Sequence, residues 1–190
     1  DLRVFAFAGS RRQGSYNQSL LKLAVSKLRE AGVAVDEFDT RVSIVPMYEH
    51  EFEATQGFPD VVRDMRQRIL ASDAVLIVSP EYNAGYTALT KSVLDWGSRK
   101  DQSTGTSNVW DGKTCATLAA SPGAFGGTRG LIALRPVLAH VRMHVIPDSF
   151  VLPFASDAWT PEGGLSSERN ERELDAALTT FRATGLKLKG

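Results

Sequence analysis

Apolar positions along this chain follow two rhythms that alternate from one end to the other. Short unbroken runs read as strands: Leu2 to Ala8, Ala74 to Val78 and Lys113 to Ala120. Between them, apolar residues recur at three- and four-residue spacing, the signature of helices with one buried face. Leu20, Leu21, Ala24, Leu28 and Ala31 predict a helix over 18–31, stopped by Gly32. Val33 to Asp39 is a weaker, partly charged strand, suited to a sheet edge. A long loop through Val45, Tyr48 and His50 to Phe58 follows, beyond the usual connection length, which marks it for a functional or interface role. Pro59 opens a helix whose stripe is Val62, Met65 and Ile69, with Arg63, Asp64, Arg66 and Arg68 expected to face water. Ala74 to Val78 is apolar throughout, as a central parallel strand buried on both faces must be.

The second half repeats the pattern. A helix with Leu89, Val93, Leu94 and Trp96 is followed by a polar loop, 97–108, and an Asp111-Gly112 turn. The next helix carries Leu131, Leu134 and Leu138, and Pro136 inside it is expected to kink or break it. Val141 to Ile146 reads as the fifth strand. A proline-bounded loop then holds Phe150, Leu152, Phe154 and Trp159, and a last helix from about Ser167 presents Leu174, Leu178 and Phe181. Five β-α alternations predict a single α/β domain over 1–190, a three-layer α/β/α sandwich around a five-stranded parallel sheet. Strand order 2-1-3-4-5 suits five strands, with the ligand at the switch point between strands 1 and 3.

Composition narrows the partners. Lys plus Arg and Asp plus Glu are both 22 among 190 residues, so the net charge is zero. No whole-protein field favours nucleic acid or an acidic membrane, and neither is expected as a partner. The single cysteine, Cys115, excludes an internal disulfide and fits a reducing, cytoplasmic setting. No apolar run has the length of a membrane span, and no basic-then-apolar leader opens the sequence.

The chemistry concentrates in three loops that this topology brings to one sheet edge. The first, Gly9 to Asn17, joins a strand to a helix and is rich in hydroxyl, amide and arginine groups. Unpaired N–H groups and the dipole at a helix start favour an anion. Ser10 and Ser15 offer hydroxyls, Asn17 an amide and Arg12 a bidentate fork for phosphate, with Gln18 and Ser19 beside them. The stretch lacks both G-x-G-x-x-G and a Walker A pattern, so a terminal phosphomonoester suits it better than a diphosphate. A merely polar loop with a serine cap is the plainer reading of the same residues. The second loop, Pro80-Glu81-Tyr82-Asn83, supplies a flat aromatic and an amide where a planar heterocycle would lie. The third, Ser121 to Gly127, has Gly126-Gly127, which lets backbone approach a ligand closely.

Taken jointly, Gly9-Ser10-x-Arg12-x-Gly14-Ser15-x-Asn17, Ser79-Pro80-Glu81-Tyr82-Asn83 and Lys91-x-x-x-Asp95-Trp96 resemble the NADPH-dependent FMN reductase family, the group of chromate, quinone and azo-dye reductases. The likeness runs from Leu2 to about Pro153. It implies a flavodoxin-like fold, one non-covalent FMN per subunit, NAD(P)H as donor and a homodimer or homotetramer. It also implies two-electron, ping-pong hydride transfer through flavin N5 to quinones, chromate, azo compounds, ferric complexes or free flavin. Carried over, Ser10, Arg12, Ser15 and Asn17 would bind the FMN phosphate, helped by Gln18 and Ser19. Pro80, Glu81, Tyr82 and Asn83 would line the isoalloxazine and ribityl, and Ser121, Gly123, Gly126 and Gly127 would close the far side. The chemistry would lie on FMN, with no catalytic side chain. Thr87 and Thr90 depart from the proline and leucine common in the family, near the expected subunit contact.

Other residues have plainer readings. Cys115 reads as a core thiol, Lys91 and Asp95 as a structural or interfacial pair, and His140 and His144 as straddling a helix–strand boundary rather than holding a metal. His50 is a solvated loop residue or one facing a neighbouring subunit's flavin. A flavodoxin-type electron carrier is the alternative function; such carriers are usually strongly acidic, and this chain is neutral. A nucleotide- or phosphosugar-binding regulatory module is a third.

Overall fold

Five parallel strands in the order 2-1-3-4-5 form the centre of the molecule. The computed structural model describes residues 1–189. In chain order the elements are β1 (Arg3–Ala8), α1 (Tyr16–Glu30), β2 (Ala34–Phe38), α2 (His50–Gln56), α3 (Asp60–Leu70), β3 (Ala74–Val78), α4 (Ala88–Ser98), β4 (Thr114–Ala120), α5 (Thr128–His140), β5 (His144–Leu152) and α6 (Glu168–Leu188).

Strand character dictates strand place. Every residue of β3 and β4 is buried, whereas β2, at one edge, alternates exposed and half-buried positions before ending in buried Phe38. Val4, Ala6 and Ala8 point into one core with Leu21, Leu28, Leu174 and Phe181, so α1 and α6 cover that face. Phe5 and Phe7 point into the other, with Met65, Leu94 and Leu134 from α3, α4 and α5. The two-residue period of β1 thus feeds both layers. Parallel β1 and β3 run in register from Val4 opposite Ala74 to Ala8 opposite Val78. Their C-terminal ends therefore finish level, which brings the loops after them together.

Four expectations change. The long loop after β2 contains a short helix, α2, with no buried residue, so it lacks the apolar stripe that reveals a helix in sequence. Helix α5 runs unbroken through Pro136; the carbonyl a turn earlier that loses its donor belongs to Ile132, on the exposed side, where water can replace it. The fifth strand spans His144–Leu152 rather than 141–146. It tolerates Pro147 because it is an edge strand with a register shift opposite Cys115 to Thr117. There Arg135 of α5 donates to the carbonyls of Val145 and Ile146 at 3.2 and 2.8 Å. Arg66 does not face water: it is 3% exposed. Its guanidinium donates to Trp96 O and Gly97 O at 2.9 Å each and to Ser107 O at 2.9 Å, and lies over the Phe58 ring. The carbonyl-rich C-terminal end of α4 attracts the cation.

Candidate functional site

Chain leaving β1 is caught at once by its neighbour, with Gly9 N–H donating to Val78 O at 2.8 Å. Thr87 Oγ1 donates to Gly9 O at 2.7 Å and touches Thr90 Oγ1 at 2.9 Å, which in turn meets Ser79 Oγ at 3.0 Å. A buried row of hydroxyls thus ties the first loop, the end of β3 and the start of α4. The two threonines that depart from the family pattern are partners in that row. Thr87 is also the N-cap of α4, accepting from Thr90 N–H.

The first loop is held from below. Gln18 donates to Ser10 O at 2.6 Å. Asn17 donates to Ala120 O at 2.8 Å and accepts from Ala120 N–H at 2.9 Å, so its amide joins α1 to the end of β4. Asn17 and Gln18 are consequently fasteners of the loop, with one Asn17 N–H hydrogen to spare. Ser10 and Ser15 behave differently. They are 4% and 3% exposed, yet their hydroxyls form no hydrogen bond within the protein, and Ser15 does not cap α1 although it is the N-cap residue. No buried side-chain polar atom among the described residues lacks both partner and solvent, so both hydroxyls open into a cleft. Arg12 is exposed, spending its guanidinium on Gln13 O at 3.4 Å and on the Tyr16 ring, 5.5 Å from its centroid.

That cleft, about 370 Å³, is bounded by Ser10, Arg12, Ser15 and Tyr16, by Pro80, Glu81 and Tyr82, and by Ala120 to Pro122. A second groove of about 320 Å³ adjoins it across Ser10 and Tyr82, floored by Val45, Met47 and Leu89. Three loops from three strands therefore meet, as the topology required. Tyr82 and Gly85 exchange hydrogen bonds at 2.9 and 3.0 Å around Asn83 and Ala84, both at positive φ (52° and 62°). This is a tight hairpin of the primed type, and Ala84 bears a Cβ where glycine is preferred. The hairpin holds Tyr82 56% exposed at the cleft mouth.

In the third loop, Ser121 N–H donates to Leu152 O at 3.1 Å and Ala155 N–H to Ser121 O at 3.0 Å. Gly123 N–H donates to Ser121 Oγ at 3.2 Å. The close approach that Gly126 and Gly127 permit is to protein. A Cβ on Gly126 would lie 2.9 Å from Pro153 N, and one on Gly127 2.6 Å from Ala119 Cβ. Ser19 stands apart, in a groove with Lys22 and Trp159. Glu81 lines the cleft, but its carboxylate turns to Arg129. Tyr16, Ala120 and Pro122 line the cleft without having been singled out. Ala120 was findable, since the ends of adjacent parallel strands finish at one edge.

Outside the cleft, Lys91 and Asp95 pair at 2.6 Å on α4. His140 ends α5 and His144 starts β5. His50 begins α2 beside a cavity of about 430 Å³ with Arg63 and Arg99, at the far end of α4 from the cleft. Cys115 is fully buried, which pushes its thiol far above the ordinary range and keeps it protonated.

Chemically the cleft can bind but does little else. Two free hydroxyls, an uncapped helix start and an exposed arginine suit a phosphate dianion. Among the described residues that line the cleft, no nucleophile–base pair is placed for covalent catalysis. A family model described as NADPH-dependent FMN reductase matches residues 2–157. An NAD(P)H:quinone oxidoreductase of Solanum tuberosum is 33% identical over 194 residues, covering 100% of this chain and 95% of its own. An NAD(P)H-dependent FMN reductase of Pseudomonas aeruginosa is 30% identical, covering 100% and 98%. Among solved structures, the flavoenzyme NAD(P)H:(acceptor) oxidoreductase of Paracoccus denitrificans superposes with a TM-score of 0.83 at 26% identity, covering 98% of both chains.

Proposed function

The chain belongs to the NADPH-dependent FMN reductase family, and we propose that it reduces quinone-class acceptors, with FMN held in the cleft of Ser10, Arg12, Ser15 and Tyr82. It is an NAD(P)H-dependent flavoenzyme of the FMN- and quinone-reductase kind with a flavodoxin-like fold. The observation that carries the cleft assignment is that Ser10 and Ser15, both largely buried, open their hydroxyls into the cleft without protein partners at the uncapped start of α1.

The residues fit FMN. Ser10 and Ser15 donate to the phosphate, the first-turn N–H groups of α1 add to them, and Arg12 leaves the Tyr16 ring to neutralise the charge. The Tyr82–Gly85 hairpin and the Ser121–Gly123 turn form the walls against which a planar ring system rests. Bound there, FMN would supply the two-electron chemistry between NAD(P)H and the acceptor, with Ser10, Ser15 and Arg12 holding its phosphate and the two loops orienting its ring. Tyr82 and the apolar floor of Val45, Met47 and Leu89 keep water off one side of the cleft mouth and offer stacking surface to flat substrates. Chromate, azo compounds, ferric complexes and free flavin are further acceptors of the same reading. A homodimer or homotetramer is part of the same reading, and light scattering on the purified protein measures it directly. No helix among the described residues is long and apolar enough to cross a membrane.

Anaerobic addition of NADPH to the FMN-loaded protein tests the function. Bleaching within seconds, with colour restored by a benzoquinone, is the expected result. A yellow protein indifferent to NADPH and NADH is an electron carrier, and one unaffected by added FMN does not use this cleft for a flavin.

A further inference from the structure

We infer that Glu81 is a positioning residue that caps α5 from outside the helix and so locks two walls of the cleft, the Tyr82–Gly85 hairpin and the Ser121–Gly127 loop, into one unit. The inference rests on the reading of the cleft as the flavin site.

Helix α5 begins without a capping side chain, because its N-cap is Gly127 at φ 100°. The acceptor comes instead from a loop far away in sequence. Glu81 Oε2 accepts from Gly130 N–H at 3.2 Å, and Oε1 accepts from Arg129 Nε at 2.8 Å. Gly130 is the third residue of α5, the position an ordinary N-cap side chain serves. Helix and hairpin are in direct contact here. A Cβ on Gly130 would stand 3.1 Å from both Glu81 Cβ and Gly85 O, and one on Gly127 3.9 Å from Glu81 Cβ. Glycine at 130 opens the slot that the glutamate enters, whereas Gly127 is required by its approach to Ala119.

Charge explains why the residue is acidic although the cleft reads as an anion site. The Glu81 side chain is 8% exposed, while that of Arg129 is 57% exposed. The carboxylate answers the positive end of α5 and Arg129 rather than facing a phosphate that would repel it. Arg129 in turn lies over the Phe125 ring, 5.1 Å from its centroid, within the third loop. Hairpin, glutamate, arginine and loop thus form one chain of contacts across the cleft wall.

The test compares Glu81→Ala, Glu81→Gln and Arg129→Ala with the unaltered protein. Two readouts are taken: FMN affinity by quenching of flavin fluorescence, and amide hydrogen exchange of the FMN-free protein at Gly85, Gly130 and Leu131. Glu81→Ala should raise the FMN dissociation constant about tenfold and speed exchange at these amides by a similar factor, as expected for a lost charge-assisted bond. Glu81→Gln keeps an acceptor for Gly130 and loses only the ion pair, so it should stay within about threefold of the unaltered protein, as should Arg129→Ala. Partial rescue by glutamine separates a cap from a general loss of packing. Equal effects of Ala and Gln, or an alanine variant with unchanged affinity and exchange, overturn the inference. If Glu81→Ala does not fold, glutamine and Arg129→Ala carry the comparison by the same limits. If the unaltered protein binds no FMN, the cleft reading falls, and exchange at the three amides alone decides whether the cap exists.

Discussion

Thr90 Oγ1 occupies the space a side chain on Gly9 would need: a Cβ built there would sit 1.9 Å from it. The first loop can pass α4 only as bare backbone, and Thr87 fastens it there through the Gly9 carbonyl at 2.7 Å. Residues 78 positions apart are thereby made to specify one another.

Gly9→Ala should therefore cost about 3 kcal/mol, the upper range for overpacking a buried site. Adding Thr90→Ala should restore part of it, giving a coupling of about 1 kcal/mol or more in a double-mutant cycle read from urea denaturation. Additive losses would show that the two positions do not compete for space.

Ser15 separates binding from folding. Replacing an ordinary N-cap serine by alanine costs about 1 kcal/mol, but this hydroxyl makes no cap bond. Ser15→Ala should leave the melting temperature of the FMN-free protein nearly unchanged and weaken FMN about tenfold, with Arg12→Ala weakening it about 10- to 100-fold. Full flavin content in purified Arg12→Ala would remove the arginine from the phosphate site.

Arg66 should prove indispensable to the fold and irrelevant to the cleft. Arg66→Met leaves the carbonyls of Trp96, Gly97 and Ser107 without their donor, at a cost of about 3 kcal/mol. Lysine should rescue poorly, since one ammonium cannot spread over carbonyls that a planar fork spans. Urea midpoints measure the loss, and FMN affinity of the folded fraction should stay unchanged.

Lys27 of α1 bonds Glu171 and Asp175 of α6 at 2.8 and 2.9 Å. Burial pushes the Glu171 carboxyl up, but the hydrogen bonds from Lys27 and from Leu165 N–H outweigh it and hold it below its ordinary 4.5. A carboxyl lowered in the folded state stabilises the fold above its unfolded value and loses that contribution as pH falls through the folded one. Stability should thus drop with acid below about pH 4.5, and Lys27→Met should flatten that part of the curve. Parallel curves for the two proteins, measured by urea denaturation from pH 6 to 3, would remove this pair from the acid response.

Periodicity alone located most of the architecture, because a residue that must be buried on one face advertises its element. Ala74 to Val78 read as a central strand and Leu174, Leu178 and Phe181 as one helical ridge, and the structure places them so. The strand-loop-helix stretch at Gly9 to Asn17 marked an anion cradle for the same local reason: hydroxyls and helix-start N–H groups lie close in sequence. What sequence could not decide is how each polar group is spent, since that depends on neighbours far along the chain. Asn17 is turned to Ala120, Glu81 to α5 and Arg66 to the end of α4, while Ser10 and Ser15 are left free. Pairing satisfies a buried polar group wherever packing brings a partner, so only the tertiary structure separates the side chains that hold the cleft together from those that remain to hold a ligand.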